Sequence, residues 1–267
     1  GRLNLTECPP SSNCYDIIRY RDKYYMYQPA VPALVYMPLV KIWGRNTPDF
    51  LITAVMGSLN TVMVFFILVL LARRLNLKIA AYWYPLLSLF WAFGTVHFYL
   101  SMLGAVWFVA QVMGQFFILL CVLLLLINGK TLFTALAGVA FALASYSKND
   151  LMFYTFFIAV LYWLFYLKGA GRKQVIMTAV IFLLPFVIFT GASLWHNAAR
   201  FDGRIFDMGI AYHRMNQMFV SDFQEYGYLS PVYFPYNIYT EALKPPPCIP
   251  KFPFFEFDKH GVGLLWA

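Results

Sequence analysis

Residues Val106–Ile127 read VWFVAQVMGQFFILLCVLLLLI, an apolar run with no charged residue. About 20 such residues let a helix cross a bilayer. Working outward, five more stretches share this character: Phe50–Ala72 and Ile79–Leu100 before it, Thr131–Ser147, Leu151–Leu167 and Val175–Trp195 after it. The pattern predicts an all-α polytopic membrane protein, with about six transmembrane helices and juxtamembrane segments on the outer face. Thr131–Ser147 and Leu151–Leu167 are short and separated by Lys148-Asn149-Asp150. Two spans are favoured over one long bent segment, because a continuous helix would hold three polar residues at mid-membrane.

Composition points the same way. The chain of 267 residues is 61% hydrophobic and 12% charged, with a mean hydropathy of +0.63. A soluble domain carries about twice that charged share. The formal charge of +8 fits loops that set topology and meet lipid headgroups, and argues against nucleic acid as a partner. No signal peptide is visible. The run Gly263–Ala267 is apolar, and the sequence reads as a fragment cut at both ends. Neither a repeat nor a low-complexity linker is apparent.

Orientation follows from the basic residues. Loops 73–78, 128–130 and 168–174 carry Arg73, Arg74, Lys78, Lys130, Lys168, Arg172 and Lys173, whereas the opposite short loops carry only Lys148. The positive-inside rule places the seven in the cytoplasm. All 12 acids fall in 1–49, at Asp150 or in 202–258, and the four His (His97, His196, His213, His260) lie outside or at an outer span end. Acid–base chemistry needs such groups, so the working face is expected outside. The implied divisions are an outer loop with interfacial helices (1–49), the six-span bundle (50–196) and an outer loop leading to a further span (197–267). Export of 1–49 requires a span upstream. Ala33–Trp43, interrupted by Pro38, reads as interfacial or re-entrant. In the tail, Pro245-Pro246-Pro247 precludes helix. The two outer segments, each too interrupted for its own core, are expected to pack together over the span ends.

Candidate chemistry sits in a few places. Tyr15–Pro29 is the densest polar and aromatic cluster, with Asp16, Arg19, Asp22, Lys23, Tyr24 and Tyr25. Aromatic faces suit sugar rings and cations suit phosphate, though an interfacial aromatic belt accounts equally for the cluster. Lys148 at an outer mouth can pair with a lipid phosphate, or simply snorkel beside Asp150. Gln111 and Gln115 share a helix face with Trp107, as cavity lining or as interhelical hydrogen bonds. His97 reads as structural. Glu256 and Asp258 are too few ligands for a metal site. Of four Cys, Cys8 and Cys14 could pair in an oxidising compartment, which spacing alone does not decide. No zinc spacing occurs, and Asn4-Leu5-Thr6 fits a glycosylation sequon.

The order of motifs resembles bacterial GT-C membrane glycosyltransferases, similar to the protein mannosyltransferase and aminoarabinose transferase group. The resemblance is carried by Gly1–Leu5, Tyr15-Asp16, Asp22–Tyr25, Tyr27–Leu34 and Pro38-Leu39. Ala144–Asp150, Tyr233–Asn237 and Phe252–Phe254 extend it along the chain. Departures are Arg21 and Asp22 around a position where Gly is frequent, Ala30 for a common Pro, and Asn149 for the Pro after the basic residue. The resemblance implies an enzyme of the inner (cytoplasmic) membrane, with its active face outward. It would move a sugar from a polyprenyl-phosphate carrier to an acceptor that is a lipid, glycan or protein. The family's catalytic acid would precede Gly1, leaving Asp16 a weak substitute here. Lys148, then Arg19 and Lys23, would bind the donor phosphate. Asp22, Tyr24, Tyr25, Trp107 and Gln111 would contact sugar or acceptor. No metal or other cofactor is demanded, and a divalent ion stays open. The alternatives are a transporter or flippase, which wants polar groups and a broken helix at the midplane, and a non-catalytic assembly protein.

Overall fold

The computed structural model describes residues 4–5, 17–26, 28–206, 225–226, 230–252, 254 and 263–266. These form two compact units, Gly1–Asn4 with Tyr25–Met208, and Leu5–Tyr24 with Gly209–Ala267.

The first unit is helical. Its elements are α1 (Val31–Trp43), α2 (Asp49–Arg74), α3 (Trp83–Phe93), α4 (His97–Met102), α5 (Val106–Ile127) and α6 (Thr131–Ser145). A mixed helix follows: a 3-10 stretch Asn149–Tyr154, α7 (Thr155–Tyr162) and a π turn Trp163–Leu167; then comes α8 (Arg172–Arg200). Among the described residues, four helices are long and apolar enough to cross a membrane: Asp49–Arg74, Val106–Ile127, Asn149–Leu167 and Arg172–Arg200. Two of the six expected spans differ. Ile79–Leu100 is not continuous, because α3 stops at Gly94 and the chain restarts as α4. Thr131–Ser147 ends at Ser145, and its 15 residues reach roughly 22 Å, short of a hydrocarbon core of about 30 Å.

Contacts fix the direction of each segment. Arg74, ending α2, donates to the carbonyls of Leu126 and Ile127 that end α5, so α2 and α5 are parallel. Gly104, ahead of α5, lies against Asp49 and Phe50 at the start of α2. Residues 75–103 therefore return from one end of the unit to the other, through α3 and α4. Helix α6 runs back along α5, from Gly129 against the Tyr166 ring to Lys148 beside Gly114. The 149–167 helix reverses again, and α8 climbs past Gly138 with Phe182 to Thr190, which accepts from Tyr146 Oη at 2.8 Å. Six segments thus alternate between two ends.

Small residues make this packing close. Helix α6 buries Ala137, Gly138, Ala140, Ala142 and Ala144. A Cβ on Gly138 would stand 2.2 Å from the Phe182 carbonyl oxygen. Between apolar helices in lipid, backbone approach and van der Waals contact replace the hydrophobic drive. Core residues Phe117, Cys121, Phe141, Ile158 and Phe182 fill the centre. Outward surfaces stay apolar, as Phe66, Phe90, Phe156, Leu184 and Ile188 show.

Helix α1 starts two residues earlier than the expected Ala33, with Pro32 in its first turn, and it runs on through Pro38. Val31 alone is buried, in the core cluster, while Leu34, Met37, Ile42 and Trp43 are exposed. One anchored end and an apolar exposed surface are what an interfacial helix presents.

In the second unit, β1 (Ile17–Tyr20) pairs with β2 (Lys23–Met26), whose last two residues belong to the first unit. Arg21 (φ 44°) and Asp22 (φ 58°) both adopt positive φ, as a two-residue hairpin turn requires. Leu5 donates to the Tyr24 carbonyl at 2.8 Å. A 3-10 turn Pro231–Tyr233, helix α9 (Phe234–Ile238) and a π turn Tyr239–Leu243 follow. The chain leaves helix at Lys244, before the three prolines, as expected.

Candidate functional site

At the end of the bundle where α2 and α5 begin, the chain turns after α6. The amides of Tyr146, Ser147 and Lys148 still bond Ala142 and Ala144. Lys148 then turns extended (φ −149°, ψ 111°) and the 3-10 stretch begins. Ser147 is fully buried, its hydroxyl donating to the Leu143 carbonyl at 2.8 Å. The turn sits deep: a Cβ on Gly114 would lie 3.3 Å from Lys148 Cβ and 2.6 Å from Leu151 Cδ1. Gly114 is eight residues into α5, roughly 12 Å below its start.

From there the Lys148 side chain runs along α5 toward Trp107. Its Nζ is 5.8 Å from the centre of the Trp107 ring, within cation–π range, and 3.9 Å from Asp150 Oδ1. Its side chain is 32% exposed and that of Asp150 66%. Helix α1 begins beside this turn, where Val31 N donates to the Tyr146 carbonyl at 3.4 Å. Tyr146 is held by Thr190 and by the rings of Phe186 and Phe189. Three residues before Val31, the Gln28 Nε2 is buried with no hydrogen-bond partner among the described residues. Sequence reading had not singled out Gln28, since nothing marks one glutamine as a stranded donor.

The expected residues separate into groups. Lys148, Trp107 and Asp150 come together. Gln111, half-buried one turn inward of Trp107, shares its helix face. Gln115 is engaged elsewhere, 3.0 Å from His97 Nδ1. Tyr25 is buried, 5% exposed, against Phe201 with ring centres 5.7 Å apart, so packing occupies the side chain expected to touch sugar. Next to it, within the same unit, Arg200 donates to the Met26 carbonyl at 2.8 Å. Arg19 pairs with Asp22 across the turn at 2.5 Å. That hydrogen bond, then the charges of Tyr24 and Asp22, hold its guanidinium above its ordinary pKa. Lys23 is exposed and Tyr24 half-buried. Asp16, Cys8, Cys14, His213, Asp222, Glu256, Asp258 and His260 lie outside the described residues. Among the described residues no three His, Cys, Asp or Glu side chains gather as a metal site needs.

His97, expected at a span end, is inside the bundle and 4% exposed. It sits level with Gly57 and Gln115, roughly 12–14 Å along α2 and α5 from their starts. Its Nε2 is 3.0 Å from the Gly57 carbonyl and 3.3 Å from Ser101 Oγ, whose own proton goes to the His97 carbonyl at 2.7 Å. Nε2 therefore carries a hydrogen. The Trp91 ring lies 4.1 Å from the imidazole, centre to centre. Nearby, fully buried Asn60 donates to the Val112 carbonyl at 3.2 Å, and its Oδ1 has no partner among the described residues.

Comparison with protein-family models, with characterised proteins and with solved structures finds no match to this chain.

Proposed function

We propose that the chain is part of an integral membrane glycosyltransferase that takes a sugar from a polyprenyl-phosphate carrier at an outward-facing mouth. The observation that carries this reading is the Lys148 ammonium over Trp107, where the turn after α6 meets α5 and the start of α1. An anionic phosphate would replace Asp150 as its partner, and a charge-assisted bond there offsets desolvation. Trp107 and Gln111 would face the sugar, and the stranded Gln28 amide supplies a further donor. Six alternating segments would all cross the bilayer, with α3 and α4 jointly making one passage. The seven-cation end would be cytoplasmic.

The test is binding of a polyprenyl monophosphate to the reconstituted protein. Lys148→Ala should weaken it at least tenfold, about 1.4 kcal/mol, and Lys148→Arg should retain most of it. Equal affinity in a correctly inserted Ala variant would remove Lys148 from the site and leave Arg19 and Lys23.

One observation favours a transporter instead. The α3–α4 break beside buried His97 and Asn60 and half-buried Gln115 is the kind of interrupted helix that transporters place around a substrate. Loss of solute flux in proteoliposomes on His97→Ala, with carrier binding unchanged, would support that reading.

A further inference from the structure

We infer that the end of the bundle opposite the Lys148 mouth is a collar that binds the headgroups of anionic phospholipids. Three loops meet there. Arg74 donates to Tyr166 Oη at 2.6 Å as well as to the end of α5. The Tyr166 ring lies against Gly129, where a Cβ would stand 2.4 Å from its Cδ1. Arg73, Lys130 and Lys168 neighbour these three residues in sequence, and all three are exposed. Lys78, Arg172 and Lys173 are exposed in the same loops or in the first turn of α8.

Among the described residues no carboxylate balances them. In this unit the described acids are Asp49, Asp150 and Asp202, and each belongs to the opposite end. None of the seven cations pairs with an acid among the described residues. Arg74 is occupied by backbone carbonyls and Tyr166, which leaves six cations crowded with no counter-charge among the described residues. Arg172 and Lys173 also open α8, where the helix dipole disfavours positive charge, and the first turn holds no acid. Such a set is stabilised by a layer of anions at headgroup depth, and attraction grows with each basic residue at the surface. Exposed apolar side chains on α2 and α8, such as Phe66, Met177 and Val180, adjoin the collar. The favoured anion is therefore one carrying acyl chains rather than free phosphate. This inference holds whether the opposite mouth transfers sugars or not.

The experiment uses the whole chain in phosphatidylcholine nanodiscs, titrated with phosphatidylglycerol and read by thermal unfolding. Stabilisation should saturate with added phosphatidylglycerol. The triple variant Lys130→Gln, Lys168→Gln, Lys173→Gln should need about tenfold more of it for half the effect. The matching triple Arg variant should behave as the parent, which controls for folding. Glycerol 3-phosphate should give no stabilisation. Equal stability in both lipids, an unchanged Gln variant, or full stabilisation by glycerol 3-phosphate would each overturn the collar.

Discussion

His97 Nε2 on α4 meets the backbone carbonyl of Gly57 on α2 at 3.0 Å, and the absence of a side chain at Gly57 is what permits it. A Cβ there would stand 2.2 Å from Ser101 Oγ and 2.5 Å from its Cβ. Gly57→Ala should therefore destabilise the detergent-solubilised protein by about 1–3 kcal/mol, the usual range for overpacking. Ser101→Gly in the same chain should recover part of the loss, with coupling expected because the two groups touch. Thermal unfolding of the four proteins of this cycle decides, and additive losses would place the two residues apart.

Two glycines in parallel neighbours, α6 and α8, should respond in opposite directions. Gly138→Ala drives a methyl into the Phe182 backbone, which no side-chain trimming can relieve. Gly191, inside α8, has nothing within 4 Å of an added Cβ. Gly191→Ala should raise stability by about 0.5–1 kcal/mol, the helix propensity difference. Equal effects at both positions would contradict the close approach of α6 to α8.

The mouth can be tested without touching its charge. Gly114→Val should press on Leu151 and on the base of Lys148, displacing the ammonium. Carrier-phosphate affinity should fall several-fold, on the order of 1 kcal/mol for a disturbed rather than deleted bond. Leu151→Ala should restore part of it. Failure of Gly114→Val to alter affinity would mean the depth of that turn does not matter to binding.

Arg74 carries a structural task that a count of loop charges does not reveal. Its Nε and Nη2 donate to the Leu126 carbonyl at 3.2 and 3.0 Å, serving acceptors that a helix end leaves open. Arg74→Lys keeps the charge but loses the fork, and should cost about 1–2 kcal/mol in thermal unfolding. Arg74→Gln should cost more. Topology should survive both changes. Impermeant labelling of single cysteines, with Cys8, Cys14, Cys121 and Cys248 removed, should still mark residue 22 from outside and never residue 130. Outside labelling at 130 would reverse the proposed orientation.

The long helices were legible because an uninterrupted apolar run leaves the backbone one way to satisfy its own polar groups. Val106–Ile127 keeps its expected bounds, and Phe50–Ala72 lies within α2. The break in Ile79–Leu100 was not legible. Gly94, Thr95 and Val96 do not lower hydropathy enough to signal it, and the partners that accept the break, Gly57 and Gln115, are distant in sequence. Pro38 shows the reverse error, since it was read as an interruption and sits within a continuing helix, whereas the span through Pro185 continues as expected. At the mouth, Lys148, Trp107 and Gln111 could each be named from sequence. The pairing of Lys148 with Trp107 could not, because it depends on how deep the turn after α6 is seated.

The interrupted return between α2 and α5 also bears on how the protein is made. Helix α3 has 11 residues and α4 has six, so neither half spans the hydrocarbon alone. Their loosened backbone between Gly94 and Val96 is tolerable only when neighbours supply bonds to it. Gly57 is already synthesised when His97 emerges, but Gln115 is not. A nascent chain ending near residue 105 thus holds half of the clasp. Were this passage to cross the bilayer, its commitment would wait for α5, and insertion would be a concerted event over Asp49–Ile127 rather than a helix-by-helix one.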